Sequence, residues 1–264
     1  MNSILTFPFF YFYFSRIKKS GSIFFNFLFE WIPYIIIIIF FSKNTFLISI
    51  LYLFLSYIAF ISFYELGYIV NDYFSINFEE NGNNRAPISG NRTNISFWIF
   101  SRLIIFIMIS YLLPFGGTYG WNISYIILGV FFAAHNLIKV TEFKSISFFW
   151  LALLKYIIPI MFLINEESIS SLILVSSTIY VPFRFLSYLE SKKLLVMNKR
   201  KSILFRTFYF CSPLIFAAFI NILPDFYLYF SLSLYYALII LVYFFISKLK
   251  FNKKNFYFLG KKME

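Results

Sequence analysis

FLISILYLFLSYIAFISFYELGYIV, residues 46–70, runs without a break into Asn71 and Asp72, and its reading decides the fold. Glu65 is its one charged residue. A bilayer's hydrocarbon core takes ~20 apolar residues as a helix, so this stretch is long enough to cross. Comparable runs occupy 23–41, 97–113, 121–138, 147–164, 170–187, 204–222 and 227–247. No backbone crosses hydrocarbon with unpaired amides, and these runs are too long and continuous for barrel strands. The expectation is an all-α, polytopic transmembrane bundle of about 8 helices.

Composition agrees. Hydrophobic residues make up 61% of the 264-residue chain and charged ones 13%, with 41 Phe and 21 Tyr. A soluble domain of this size needs more charge to cover its surface. The lone Cys211 excludes a disulfide within the chain and any cysteine-based metal cluster, and the lone His135 excludes a histidine metal site. The N-terminus has basic residues before an apolar run, as a signal peptide would. That run is long and lacks a small-residue cleavage site, so it reads as a retained first helix.

Basic residues set the predicted orientation. One face collects Arg16, Lys18 and Lys19, then Arg85 and Arg92, Lys139 and Lys144, a cluster from Lys192 to Lys201, and the tail. The other face has Lys43 with Glu166, Glu167 and Asp225. Both ends are therefore expected on the cytoplasmic side of the cell membrane. The reading is one integral membrane domain, 1–264, with a cytoplasmic N-terminal segment, 1–21, and a basic tail, 249–264. The formal charge of +12 follows from this topology and from attraction to anionic lipid headgroups. With no basic soluble domain to carry it, nucleic-acid binding is not expected.

Polar chemistry concentrates in ELGYIVNDYFSINFEENGNNRAPISG, residues 65–90. On a continuing helix Glu65, Asp72 and Glu79 recur every seven residues and share a face, with Ser75 between them. Oxygen ligands in that array suit Mg²⁺, which takes carboxylates together with substrate phosphates. Arg85 follows in a loop able to fold over a phosphate and bind it through its planar fork. The bland alternative is a solvated interhelical loop with a helix-ending Asn-Asp.

The stretch NDYFSINFEENGNNRAPISG resembles the first aspartate-rich motif of the UbiA family of intramembrane prenyltransferases, Asn-Asp-x-x-Asp-x-x-x-Asp followed by Arg-Pro and Ser-Gly. Asn71 and Asp72 match its opening pair. Ser75 stands for the middle Asp, Glu79 for the last, and Arg85, Pro87, Ser89 and Gly90 match the sequel with Ala86 inserted. The family places this motif at the cytoplasmic end of its second helix, as here, and usually has nine helices. The resemblance implies Mg²⁺ held by Asn71, Asp72 and Glu79, with Asp72 and Glu79 in the catalytic role.

The family's second acidic motif follows its sixth helix, where this chain reads YVPFRFLSYLESKK. Phe185, Tyr188 and Lys192 stand where acidic residues are expected, and Glu190 points away from Tyr188 and Lys192 on a helix. Lys192, beside Arg184 and Lys193, would instead touch a phosphate directly. Lys139 and Lys155 fall where family members carry a Lys and an Arg. A mid-span Lys costs ~2.5–3.5 kcal/mol on insertion scales unless it faces a cavity or partner, so Lys155 either binds phosphate or pairs with Glu30 or Glu65.

The resemblance implies transfer of a prenyl group from an isoprenoid diphosphate to an acceptor. Arg85, Lys139, Lys155, Arg184, Lys192 and Glu65 would contact substrate. Phosphoribosyl transfer to a polyprenyl phosphate, a non-catalytic lipid-binding role, and a transporter or scaffold stay open beside it.

Overall fold

Each predicted run is helical over its described residues, apart from one to three residues at some ends. The computed structural model describes residues 4–18, 23–75, 85–87, 92–217 and 226–248. Among these residues there is no strand; the one extended pairing is an isolated antiparallel bridge between Ser42 and Ile164. Six helices are long and apolar enough to cross a membrane: α2, Ile23–Phe41; α3, Phe46–Tyr73; α4, Arg92–Leu112; α6, Thr141–Met161; α7, Glu166–Ser191; and α9, Phe226–Lys248. The chain is an all-α, multi-pass membrane protein. The other two predicted spans are also helical, α5 at Tyr119–Leu137 and α8 at Ile203–Ala217, but fall outside that set of six. The ninth helical element, α1, covers residues 10–17: Phe10–Phe12 continued by a π turn, Tyr13–Ile17.

By packing the chain divides into two compact units, Met1–Gly21 with Leu47–Phe162, and Ser22–Phe46 with Leu163–Glu264. The first unit is built around α3. Its core joins Phe60 and Tyr64 to Trp121, Tyr125, Leu128 and Phe132 of α5 and to Leu151 and Ile158 of α6. A Thr118 hydroxyl accepts from the Trp121 backbone N–H and caps α5. On α4, Ile95, Trp98 and Arg102 recur at helical spacing and are buried, whereas Phe97, Phe100, Ile107 and Met108 are exposed. That outer face meets lipid.

Residues 4–17 pack onto this unit with part of their side chains buried, although the sequence reads them as part of a cytoplasmic segment. Leu5 and Tyr11 pack with Ile69, Ile95 and Trp98, and Phe12 and Ile17 with Ile61. The aromatic content of 7–14 makes a segment too apolar to leave in water.

In the second unit Phe29 of α2 stacks on Phe183 of α7 and on Tyr236 of α9, with ring planes within 8° and 15°. Two π turns, Phe27–Trp31 and Ser176–Tyr180, interrupt α2 and α7. A π turn leaves carbonyls short of a helical donor. Tyrosine hydroxyls supply it: Tyr235 donates to the Leu28 carbonyl at 2.8 Å, Tyr236 to Phe29 at 3.0 Å, and Tyr209 to Ile179 at 2.8 Å. The buried Glu30 accepts from the Tyr180 hydroxyl, joining the two turns. Tyr180→Phe removes that donor from a carboxylate out of reach of water. The expected loss is about 1–3 kcal/mol of stability, read from thermal unfolding in detergent; an unchanged midpoint would show the bond to be dispensable.

Candidate functional site

Glu65 and Asp72 stand two turns apart on one face of α3, and the N-terminal segment lies along that face. Helix α1 has no capping side chain of its own at Phe9, whose φ of 77° puts it in the left-handed region. Glu65 does the capping from outside: its Oε1 accepts from the Phe12 backbone N–H at 2.6 Å, a negative charge at a helix N-terminus. Its Oε2 accepts from Arg102 Nε at 2.8 Å, and both side chains are fully buried. Arg102 also donates to the carbonyls of Trp98 at 3.0 Å and Leu5 at 2.8 Å. Each of these groups satisfies another, which is what makes a charge tolerable in an apolar span.

Asp72 receives the other end of the segment. Arg16 binds it through both guanidinium nitrogens, NH1 to Oδ2 at 2.8 Å and NH2 to Oδ1 at 2.9 Å. The Tyr11 hydroxyl donates to Oδ2 at 3.0 Å, and Asn71 Nδ2 to Oδ1 at 3.3 Å. Burial opposes the charged form of Arg16, yet the hydrogen bonds and charge of Asp72 hold its pKa above the ordinary value. Burial, then the neighbouring Asp72, pushes the Tyr11 phenol far up, so it remains a donor.

Aromatic faces join the charges. Phe12 stacks on Tyr68 with planes 12° apart. Arg16 lies 4.2 Å from the Tyr68 ring centroid and Lys155 Nζ 5.0 Å from that of Phe12. A ring quadrupole attracts a cation placed this way. Among the described residues the cluster therefore holds three cations, Arg16, Arg102 and Lys155, against two carboxylates.

Of the residues the sequence nominates, Glu65, Asn71, Asp72 and Lys155 meet in this cluster. The partner of Glu65 is Arg102, which the sequence reading passed over. Lys139 is exposed in the turn between α5 and α6, and Arg85 is half-buried outside any helix. Glu79, Ser89 and Gly90 lie outside the described residues. Arg184 and Lys192 belong to the second unit, where Arg184 lies 5.3 Å from the centroid of Phe25 and Lys192 ends α7. Glu190 there pairs with Arg200 through Nε at 2.7 Å and through NH2.

The described residues do not fit the Mg²⁺ that the resemblance implies. An ionised carboxylate has about four acceptor positions, and Arg16 (twice), Tyr11 and Asn71 fill four at Asp72. No group of three His, Cys, Asp or Glu residues suited to a metal occurs among the described residues. Arg16, Tyr11 and Phe12 do not stand out as site residues in the sequence, where 1–21 reads as a cytoplasmic segment. The desolvation cost that singles out Lys155 singles out Arg102 equally, and was the signal available. No family model, curated protein or solved structure matches the chain.

Proposed function

We propose that this chain is a UbiA-like membrane transferase that moves a prenyl group from an isoprenoid diphosphate to an acceptor at the cytoplasmic face of the cell membrane. The observation that carries the reading is the cation-rich cluster at the Asn71–Asp72 end of α3, in the sequence setting that resembles the family's first motif. Prenyl transfer breaks a carbon–oxygen bond and leaves pyrophosphate, whose growing charge needs cations in a dry site. Lys155 and the arginines are the cations at hand, and lipid brings the prenyl chain to the apolar helix faces.

One observation favours a second reading, an isoprenoid-phosphate binder without catalysis. The carboxylates of Glu65 and Asp72 are engaged by cations and hydrogen-bond donors of the protein itself.

Protein in nanodiscs, offered isoprenoid diphosphates with and without Mg²⁺, separates the two by pyrophosphate release and by lipid binding. Transfer is supported by release that Lys155→Ala lowers at least ~10-fold, about 1.4 kcal/mol of transition-state stabilisation, in protein that remains folded. Tight binding without release establishes the second reading. Neither binding nor release removes both.

A further inference from the structure

Asp72 raises a question of its own. A divalent cation of the Mg²⁺ type binds carboxylate oxygens at ~2.0–2.1 Å and demands near-octahedral geometry, so it needs unshared lone pairs. Asp72 is buried and gives its lone pairs to protein donors. Three of those four bonds come from α1: two from Arg16 and one from Tyr11. The fourth comes from Asn71, whose own amide oxygen is buried and accepts no hydrogen bond among the described residues. If α1 withdrew, Asn71 Oδ1 and the Asp72 oxygens would form an adjacent oxygen set no longer neutralised by the Arg16 guanidinium.

We infer that the N-terminal segment supplies Asp72 with a resident counter-ion, the Arg16 guanidinium, and that Arg16 keeps divalent cations off Asn71 and Asp72 until the segment is displaced. Three features of the segment suit a displaceable element. Helix α1 is short, and its N-terminus is capped by Glu65 rather than by its own residues. It enters through Phe9 in a left-handed conformation that costs a non-glycine residue free energy. It runs through a π turn at Tyr13–Ile17, a local departure from α geometry. Cation and segment thus compete for one carboxylate, so each must weaken the binding of the other. The competition holds whether or not the chain is a transferase.

Mn²⁺ tests this because it takes the same oxygen-rich octahedral sites and its free ion is counted by electron paramagnetic resonance. Purified protein is titrated in nanodiscs of zwitterionic lipid, which removes binding by anionic headgroups. Wild-type protein should bind Mn²⁺ only weakly at a site sensitive to Asp72→Asn, because Arg16 competes for it. Arg16→Gln should bind there at least tenfold more tightly, an affinity abolished by adding Asp72→Asn, whereas Arg16→Lys should keep the weak affinity of wild type. An Asp72-dependent site of equal affinity in wild type and Arg16→Gln overturns the inference, as does a folded Arg16→Gln protein that gains nothing. A second measurement covers an Arg16→Gln protein that does not fold. In a Cys211→Ser background, Ser15→Cys places a thiol at a buried position of α1. Rising Mn²⁺ should speed its labelling by a soluble maleimide, and an unchanged rate overturns the inference. Lipid substrate enters neither measurement, so failure here leaves the transferase reading to its own test.

Discussion

Arg102→Ala is expected to destabilise the first unit by about 3–5 kcal/mol, the cost of breaking a buried ion pair by removing one partner. The loss has two sources. Glu65, fully buried, would lose its cationic partner and retain the Phe12 N–H described above. The Leu5 carbonyl would lose a donor at 2.8 Å and the Trp98 carbonyl one at 3.0 Å. Glu65→Gln should cost less, because its one amide oxygen still accepts from Phe12 or from Arg102 and no unpaired charge is left buried. The double variant Arg102→Met, Glu65→Leu removes both charges together and should recover most of the stability, as hydrophobic replacement of buried pairs commonly does. It should not recover the anchorage of residues 4–12, which depends on Arg102 at Leu5 and on Glu65 at Phe12. Unfolding in mixed micelles measures the first effect, and limited proteolysis of the N-terminal segment the second. A single variant within about 0.5 kcal/mol of wild type would be the ordinary result of a surface substitution and would mean that the pair is not buried as described.

The spans were legible because their signal is local. Twenty consecutive apolar residues exclude water wherever the rest of the chain goes, so α2, α3 and α9 could be placed from windows of their own sequence. Pairing is a different kind of information. Arg16 and Asp72 are 56 positions apart, and nothing in either neighbourhood specifies the other. A basic residue at a span boundary, as Arg16 is, reads as an orientation signal, yet the same charge can be turned inward by a carboxylate. The aromatic run before it carries both possibilities too, since Phe and Tyr are at home in lipid, at the interface and in a protein core. Arg102 was readable in principle. Its desolvation cost demands a partner as surely as that of Lys155, and Glu65 is the acidic residue of the neighbouring span. The likeness to an aspartate-rich motif drew Asp72 toward a metal, because a motif records residue types and not which donors reach them.

Gly67→Val should remove about 3 kcal/mol of stability, at the upper end of the cost of overpacking a core. A glycine inside an exposed helix usually gains from substitution, by up to ~1 kcal/mol for Ala, since the unfolded chain loses freedom. Here packing decides against that gain. A Cβ at Gly67 would lie 2.1–2.4 Å from three ring carbons of Phe132, so the ring has to leave. It cannot leave cheaply: Tyr64 meets it edge-on at 4.8 Å and Tyr68 at 6.3 Å, and Tyr68 carries the stack of Phe12 and the Arg16 guanidinium. The Gly67 carbonyl also accepts from Asn136 Nδ2 at 3.3 Å, so a shift of α5 would strain a second contact. Phe132→Ala alone opens a cavity and should cost about 3–5 kcal/mol. Combined with Gly67→Val, it should cost less than the sum of the two single changes, because the added methyls occupy part of the space that the ring vacates. Additive losses in this cycle would separate Gly67 from Phe132 and break the packing that links α3 to α5. Coupled losses would show that Gly67 and Phe132 share one packing site, the one against which Tyr64 and Tyr68 rest.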